Sequence, residues 1–250
     1  MSDVTDTPPP REVTHTRPAA GIPEAALGHA ETRELLEALQ SGSGPLAIDA
    51  ERASGYRYSQ RAYLVQFART GGGVHLLDPL TTAPLDDLRV FVNNTPWILH
   101  AATQDLPCLR ELGFNPSSVF DTELAGKLLG RPKVGLAALL EQELDVVLAK
   151  EHSAVDWSTR PLPEDWRAYA ALDVEFLVEL HDLLLDALRA AGRDDWYEQE
   201  RALLLDFHGP AVREEPWRRV SGIHVLRDPR KLAIVRSLWE ARDLRARTRH

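Results

Sequence analysis

Leu46-Ala47-Ile48-Asp49-Ala50-Glu51 is a short apolar run that ends in two acids spaced two residues apart. Read as a strand from Leu46 to Ala50, it sends alternate side chains to opposite faces, so Asp49 and Glu51 share one face at its end. Two anions that close repel unless a cation sits between them. The other reading of an Asp-x-Glu pair is an exposed strand end touching solvent. The apolar lead-in argues instead for a buried central strand that delivers acids to its edge.

The flanking sequence builds a sheet around this strand. Ala62 to Ala68 alternates Tyr63, Val65 and Phe67 against Leu64 and Gln66, and Gly71-Gly72-Gly73 separates it from Val74-His75-Leu76-Leu77. That pattern is a hairpin beside the first strand. With no helix following, the glycines read as a turn, not a phosphate cradle. Glu31 to Leu39 has helical periodicity and stops at Ser41-Gly42-Ser43-Gly44. Further on, helices are expected over Leu85 to Val92, Gln104 to Leu112, Thr122 to Leu129, Leu136 to Glu143 and a long stretch from Pro163 to Ala191. Strands are expected at Trp97 to His100 and Ser118 to Phe120. The order predicts an α/β chain, a mixed sheet covered by helices.

Residues 1–24, rich in Pro, Thr and charge, lack the apolar residues to offset ordering entropy and read as a disordered arm. Residues 25–212 form the main domain, closing in a helical connector over 193–212. The last helix, Asp228 to Arg249, has Asp228 as N-cap and Pro229 in its first turn. Its apolar residues Leu232, Val235, Leu238 and Trp239 require a surface to dock on.

The 250-residue chain, 44% hydrophobic, can bury a sizeable core. Its one cysteine, Cys108, cannot form an internal disulfide. The start has no basic and apolar signal-peptide regions, and no apolar run approaches the roughly 20 residues of a membrane span. A soluble cytoplasmic protein, monomeric and without a membrane role, is expected. A net charge of −9 argues against coating nucleic acid through bulk charge. Residues 213–250 nevertheless hold eleven Arg and Lys against five Asp and Glu, a net of +6 that leaves −15 for the rest. An acidic body can still bind a phosphodiester where divalent cations supply the positive charge.

Three further residues complete the pattern. Asp105 follows the strand Trp97 to His100 at a helix start, where open α/β sheets place ligands; helix capping is its plainer role. Tyr169 and Asp173, four apart on a helix, share one face with Cβ atoms about 5–6 Å apart. A phenol is a poor base at neutral pH, so Tyr169 suits water positioning; packing into the core is its alternative. Together Asp49, Glu51, Asp105 and Asp173 match the ligand supply for two divalent cations, Mg²⁺ or Mn²⁺. Such a pair activates water on one side and stabilises a leaving oxygen on the other, and phosphodiester hydrolysis needs both.

At this point the chain resembles the ribonuclease D branch of the DEDD exonucleases, in the variant whose third motif carries tyrosine. Over about residues 30–215, Ile48-Asp49-Ala50-Glu51, His100 through Asp105, and Asp156-Trp157-Ser158 through Tyr169-x-x-x-Asp173 resemble its three motifs. Tyr63 to Gln66 and Phe120-Asp121-Thr122 resemble its intervening strands. The resemblance implies a ribonuclease H-like fold and removal of nucleotides from RNA 3′ ends, chiefly of tRNA and other structured precursors. It implies that Asp49 bridges both metals, that Glu51 and Asp173 complete one site, that Asp105 supports the second, and that Tyr169 orients the attacking water. Trp217-Arg218-Arg219-Val220 with Leu226 to Arg249 resembles the entry to an HRDC domain.

Arg52, Tyr56, His100 and Trp157 are candidate substrate contacts, Arg52 for phosphate and the two aromatics for stacking on bases. Core packing is the alternative for Trp157, and a hydrogen-bonded core position for His100. Two rival functions remain: a DNA-directed exonuclease with the same site, because metals grip phosphate and not sugar, and a scaffold that binds without cutting. The clustered anions argue against the scaffold.

Overall fold

The structure is a computed structural model that describes residues 15–81, 85–149, 154–211 and 213–249. Its centre is a six-stranded mixed sheet in the order β1-β4-β3-β2-β5-β6. The strands are β1 (Ala25–Ala26), β2 (Ser43–Arg52), β3 (Ala62–Thr70), β4 (Gly73–Leu77), β5 (Trp97–Leu99) and β6 (Val119–Asp121). β2 runs antiparallel to β3 and parallel to β5, and β5 runs parallel to β6. The expected mixed sheet is present. β1 was not expected: two alanines carry no alternation, and their pairing to β4 is visible only in three dimensions.

The β3–β4 turn explains its glycines. Gly71 has φ of 74°, which a side chain disfavours. A Cβ on Gly42 would stand 2.7 Å from the Thr70 carbonyl oxygen and 2.9 Å from the Gly72 nitrogen. The hairpin therefore closes against the end of α1 (His29–Ser41).

On one face, Ile48, Ala50, Val65, Phe67 and Leu99 pack with Leu35, Leu39, Leu88 and Val92 of α1 and α2 (Asp86–Asn94). Helices α3 (Leu106–Glu111), α4 (Thr122–Leu128) and α5 (Leu136–Leu144) follow the strands in turn. The stretch expected as one helix from 163 to 191 is two, α6 (Glu164–Glu175) and α7 (Leu177–Ala190), separated at Phe176 with φ −102° and ψ 0°. The two bury different rows: α6 buries the small Ala168, Ala170 and Ala171 beside Leu172 and Val174, whereas α7 buries Leu177, Leu180, Leu184 and Leu188.

Arg160 fixes the segment that leads into α6. It pairs with the fully buried Asp78 and donates to the carbonyl oxygens of Tyr63 and Trp157 at 2.7 and 2.8 Å. Residues 15–24, expected within a disordered arm, lie against the body instead. The His15 nitrogen donates to the Val147 carbonyl, the Ala19 nitrogen donates to Glu175 at 2.8 Å, and Arg17 pairs with Glu164. Backbone donors and one arginine anchor these residues, which an apolar-content argument does not weigh. The rest of that expectation, residues 1–14, lies outside the described residues.

After α8 (Asp194–Leu205), short 3-10 turns at Pro216–Arg219 and Ile223–Val225 lead to α9 (Pro229–Arg249). The face expected to dock is covered in part: Leu232, Val235 and Trp239 are half-buried while Leu238 is 67% exposed. Asp243 of α9 accepts a hydrogen bond from Tyr58, and Arg247 stacks over the Tyr58 ring, so this helix reaches the loop that follows β2. No helix among the described residues is long and apolar enough to cross a membrane.

Candidate active site

Parallel pairing decides where the acids meet. Leu46 is level with Trp97 and Ala47 with Ile98, so β2 and β5 open at the same edge of the sheet. Asp49 and Glu51 leave β2 there, and the turn after β5 brings Asp105 to the same place. α6, close to the sheet through its alanines, adds Tyr169 and Asp173. All five line one cavity of about 370 Å³, together with Arg52, His100, Ser54, Gln104, Leu136 and Leu177.

One carboxylate oxygen each from Asp49, Glu51 and Asp173 lies within 4.8 Å of the other two. Asp105 stands at the α3 N-cap position but makes no side-chain cap hydrogen bond. Its carboxyl instead faces the Asp49 carboxylate, to which it donates when protonated, and lies 3.8 Å from the Arg52 guanidinium. The capping explanation is therefore removed.

Burial raises all four carboxyl pKa values above the ordinary range. The charge of Asp49 pushes Glu51, Asp105 and Asp173 up further, and Arg52 pulls Asp49, Glu51 and Asp105 down. Four acids, Asp105 buried and Asp49, Glu51 and Asp173 half-buried, against one arginine make a set that fits divalent cations: oxygen-only donors, converging, with too little internal positive charge. Burial, reinforced by the neighbouring carboxylates, also raises the Tyr169 phenol, whose hydroxyl donates to Asp173. Tyr169 thus stays a neutral donor. Cys108 is equally inert: buried one turn after Asp105, it has its thiol pushed up to about 12, mainly by burial.

His100 borders the cavity, half-buried, with its Nδ1 2.8 Å from the Thr122 hydroxyl, and burial lowers its pKa. Tyr56 does not line the cavity; it is 51% exposed and its hydroxyl donates to the Ala154 carbonyl at 3.1 Å. Trp157 corrects an expectation. It is 1% exposed, packed edge-on to Trp166 at 5.6 Å, and a ring so enclosed offers no face to a base.

A family description, 3′-5′ exonuclease, matches residues 24–189. The chain belongs to this family. The exonuclease chain is 34% identical over 210 residues to ribonuclease D of Cronobacter turicensis, covering 81% of this chain and 56% of that protein. A solved protein from Bifidobacterium adolescentis matches with a TM-score of 0.89 at 46% identity, covering 93% of this chain and 58% of that one. Escherichia coli RNase D, titled an exoribonuclease involved in structured RNA processing, matches with a TM-score of 0.72 at 28% identity, covering 91% and 61%. Brucella melitensis NrnC, solved with bound Mg²⁺, matches at 0.59 and 26% identity, covering 68% and 86%. The chain spans about half the length of the curated relatives it matches.

The candidate site rests on one residue to which sequence reasoning gave no role, although it stands in the quoted Phe120-Asp121-Thr122. The buried Asp121 carboxylate accepts from the Ala101 and Ala102 nitrogens at 3.0 and 2.9 Å and from Glu123 and Leu124 at the start of α4. Ala101 has φ of 54°, so these bonds hold a strained turn that leads straight to Asp105. Replacing Asp121 by Ala leaves buried N–H groups unpaired, which costs about 3 kcal/mol and lowers the thermal midpoint by about 10 °C. Calorimetry checks this; a midpoint within about 2 °C of wild type would show that the bonds carry no weight.

Proposed function

We propose that the chain is a metal-dependent 3′-5′ exoribonuclease that removes nucleotides from RNA 3′ ends, with Asp49, Glu51, Asp105 and Asp173 holding two divalent cations. The observation that carries this reading is the convergence of three carboxylates within 4.8 Å, with Asp105 facing one of them, at the open edge of the sheet. Bound there, Mg²⁺ or Mn²⁺ supplies the charge that acidifies water and offsets the negative leaving oxygen. Net, water adds to phosphorus, the bond to the 3′ oxygen of the preceding nucleotide breaks, and that oxygen takes a proton.

The chain's own groups orient these partners. Tyr169, neutral through the pH range, presents its phenol beside the attacking water and keeps Asp173 turned inward. Arg52, now paired with Asp105, is 27% exposed and stands at the cavity, so it can turn to the phosphate of an entering strand. His100 stays neutral and holds the cavity wall through Thr122. Leu136 and Leu177 give the cavity an apolar side. Residues 213–249 fit the opening of an HRDC-like helical module: Trp217 is buried, Arg218 stacks over it, and the Pro216–Arg219 turn contacts α9. A monomer acting in the cytoplasm is the arrangement we infer.

The test uses 5′-labelled 3′-extended tRNA precursor and a matched single-stranded DNA, each with Mg²⁺, Mn²⁺ or EDTA. A metal-dependent ladder shortening the RNA from its 3′ end is expected. Equal shortening of DNA would remove the RNA assignment, since discrimination requires contacts to the 2′-OH. No shortening of either would favour a binding scaffold.

A further inference from the structure

Gln66 is the one polar residue in the middle of β3 and is fully buried. Its strand register sets it directly across from Asp49 on β2 and from Leu76 on β4. Directly opposed residues of an antiparallel pair point to the same face, so Gln66 shares the face of Asp49, the one that α6 covers. Besides Asp49, that face carries buried apolar residues: Leu64, Leu76, Ala170 and Ala171 in one cluster, Ala47, Ala68 and Val174 in another. Neither its amide nitrogen nor its carbonyl oxygen has a hydrogen-bond partner among the described residues.

An unpaired carboxamide in such a place is costly, and a leucine or methionine would fill the same space without that cost. A carboxylate that binds cations through one side needs donors on the other, and such outer donors set the orientation of the ligand. Opposed Cβ atoms lie about 4.5–5.5 Å apart, within the length of a glutamine side chain, whose terminal torsion is soft. We propose that Gln66 is a positioning residue for the metal site: its amide, unpartnered in the cation-free structure, turns across the strand pair to donate to the Asp49 carboxylate when cations bind and holds it in the orientation that takes them up. This rests on the two-cation reading given above.

Gln66→Met in the full chain tests it, because methionine keeps the length and removes donor and acceptor. Three quantities are measured well below the variant's midpoint or in EDTA: Mn²⁺ affinity by titration calorimetry, kcat and KM on single-stranded RNA, and the thermal midpoint. The expected result is Mn²⁺ binding weakened about 10-fold or more, kcat lowered with KM within about twofold, and an EDTA midpoint equal to or above wild type. A merely structural Gln66 would shift the midpoint and leave Mn²⁺ affinity and kcat at wild-type values, which overturns the proposal and leaves the exonuclease reading intact. Wild-type protein that cuts RNA but binds no Mn²⁺ overturns both this proposal and the two-cation reading.

Discussion

Asp49→Asn removes cutting and makes the cation-free protein more stable. Asp49 is central in the cluster: its charge raises Glu51, Asp105 and Asp173, and its carboxylate is the one in contact with Asp105. Asparagine keeps the shape and the β2 backbone but cannot supply the charge that the proposed pair of cations would share. Metal stabilisation of the transition state is worth several kcal/mol. Since about 1.4 kcal/mol is a factor of ten, the rate should fall about a thousandfold or more. The same substitution relieves repulsion among the clustered acids, so the midpoint in EDTA rises by about 2–4 °C for each kcal/mol relieved. Circular dichroism and the RNA ladder assay read the two halves. Cutting within about tenfold of wild type would remove Asp49 from the reaction.

Divalent cations should stabilise the protein strongly at neutral pH and weakly in acid. In the folded protein Asp49, Glu51, Asp105 and Asp173 all bind protons more tightly than in the unfolded chain. Folding therefore takes up protons between the ordinary carboxylate range, about pH 4, and the raised values. The contribution of these groups is fully present below that range and is lost as pH rises through the raised values. At neutral pH the ionised cluster is then the weak point of the cation-free fold, and Mg²⁺ or Mn²⁺ at about a hundred times its dissociation constant adds about 2.7 kcal/mol. That is a midpoint rise of about 5–10 °C. Protons compete for the same oxygens, so the rise shrinks as pH is lowered toward 5. Melting curves with EDTA and with Mn²⁺ at several pH values decide the matter. An equal rise at pH 5 and pH 8 would mean that the cations bind elsewhere.

Much of the site was legible because its residues lie on regular elements whose periods are short. Two-residue spacing put Asp49 with Glu51, and four-residue spacing put Tyr169 with Asp173; both pairs line the cavity. The ambiguous residues were those whose direction depends on a neighbour distant in the chain. Asp105 has the sequence position of a helix cap, and only the adjacent Asp49 and Arg52 turn it away from that task. Trp157 stands in a segment that lies beside the site, yet the contact with Trp166 encloses its ring. The stretch 163–191 has helical residues throughout, yet the chain breaks at Phe176, between α6 and α7.

By itself the sequence determined the kinds of elements, the α/β class and the candidate carboxylates, because hydrophobic period and residue spacing are local properties of the chain. Tertiary structure decided which of those residues meet. The parallel register of β2 and β5 places Asp105 beside Asp49, and the alanines of α6 bring Asp173 within reach of both β2 acids. It also singled out Asp121 and Gln66, whose roles depend on what lies across a strand pair or a turn. Burial makes an unshared donor or acceptor costly, and no spacing rule along one chain says who its partner is.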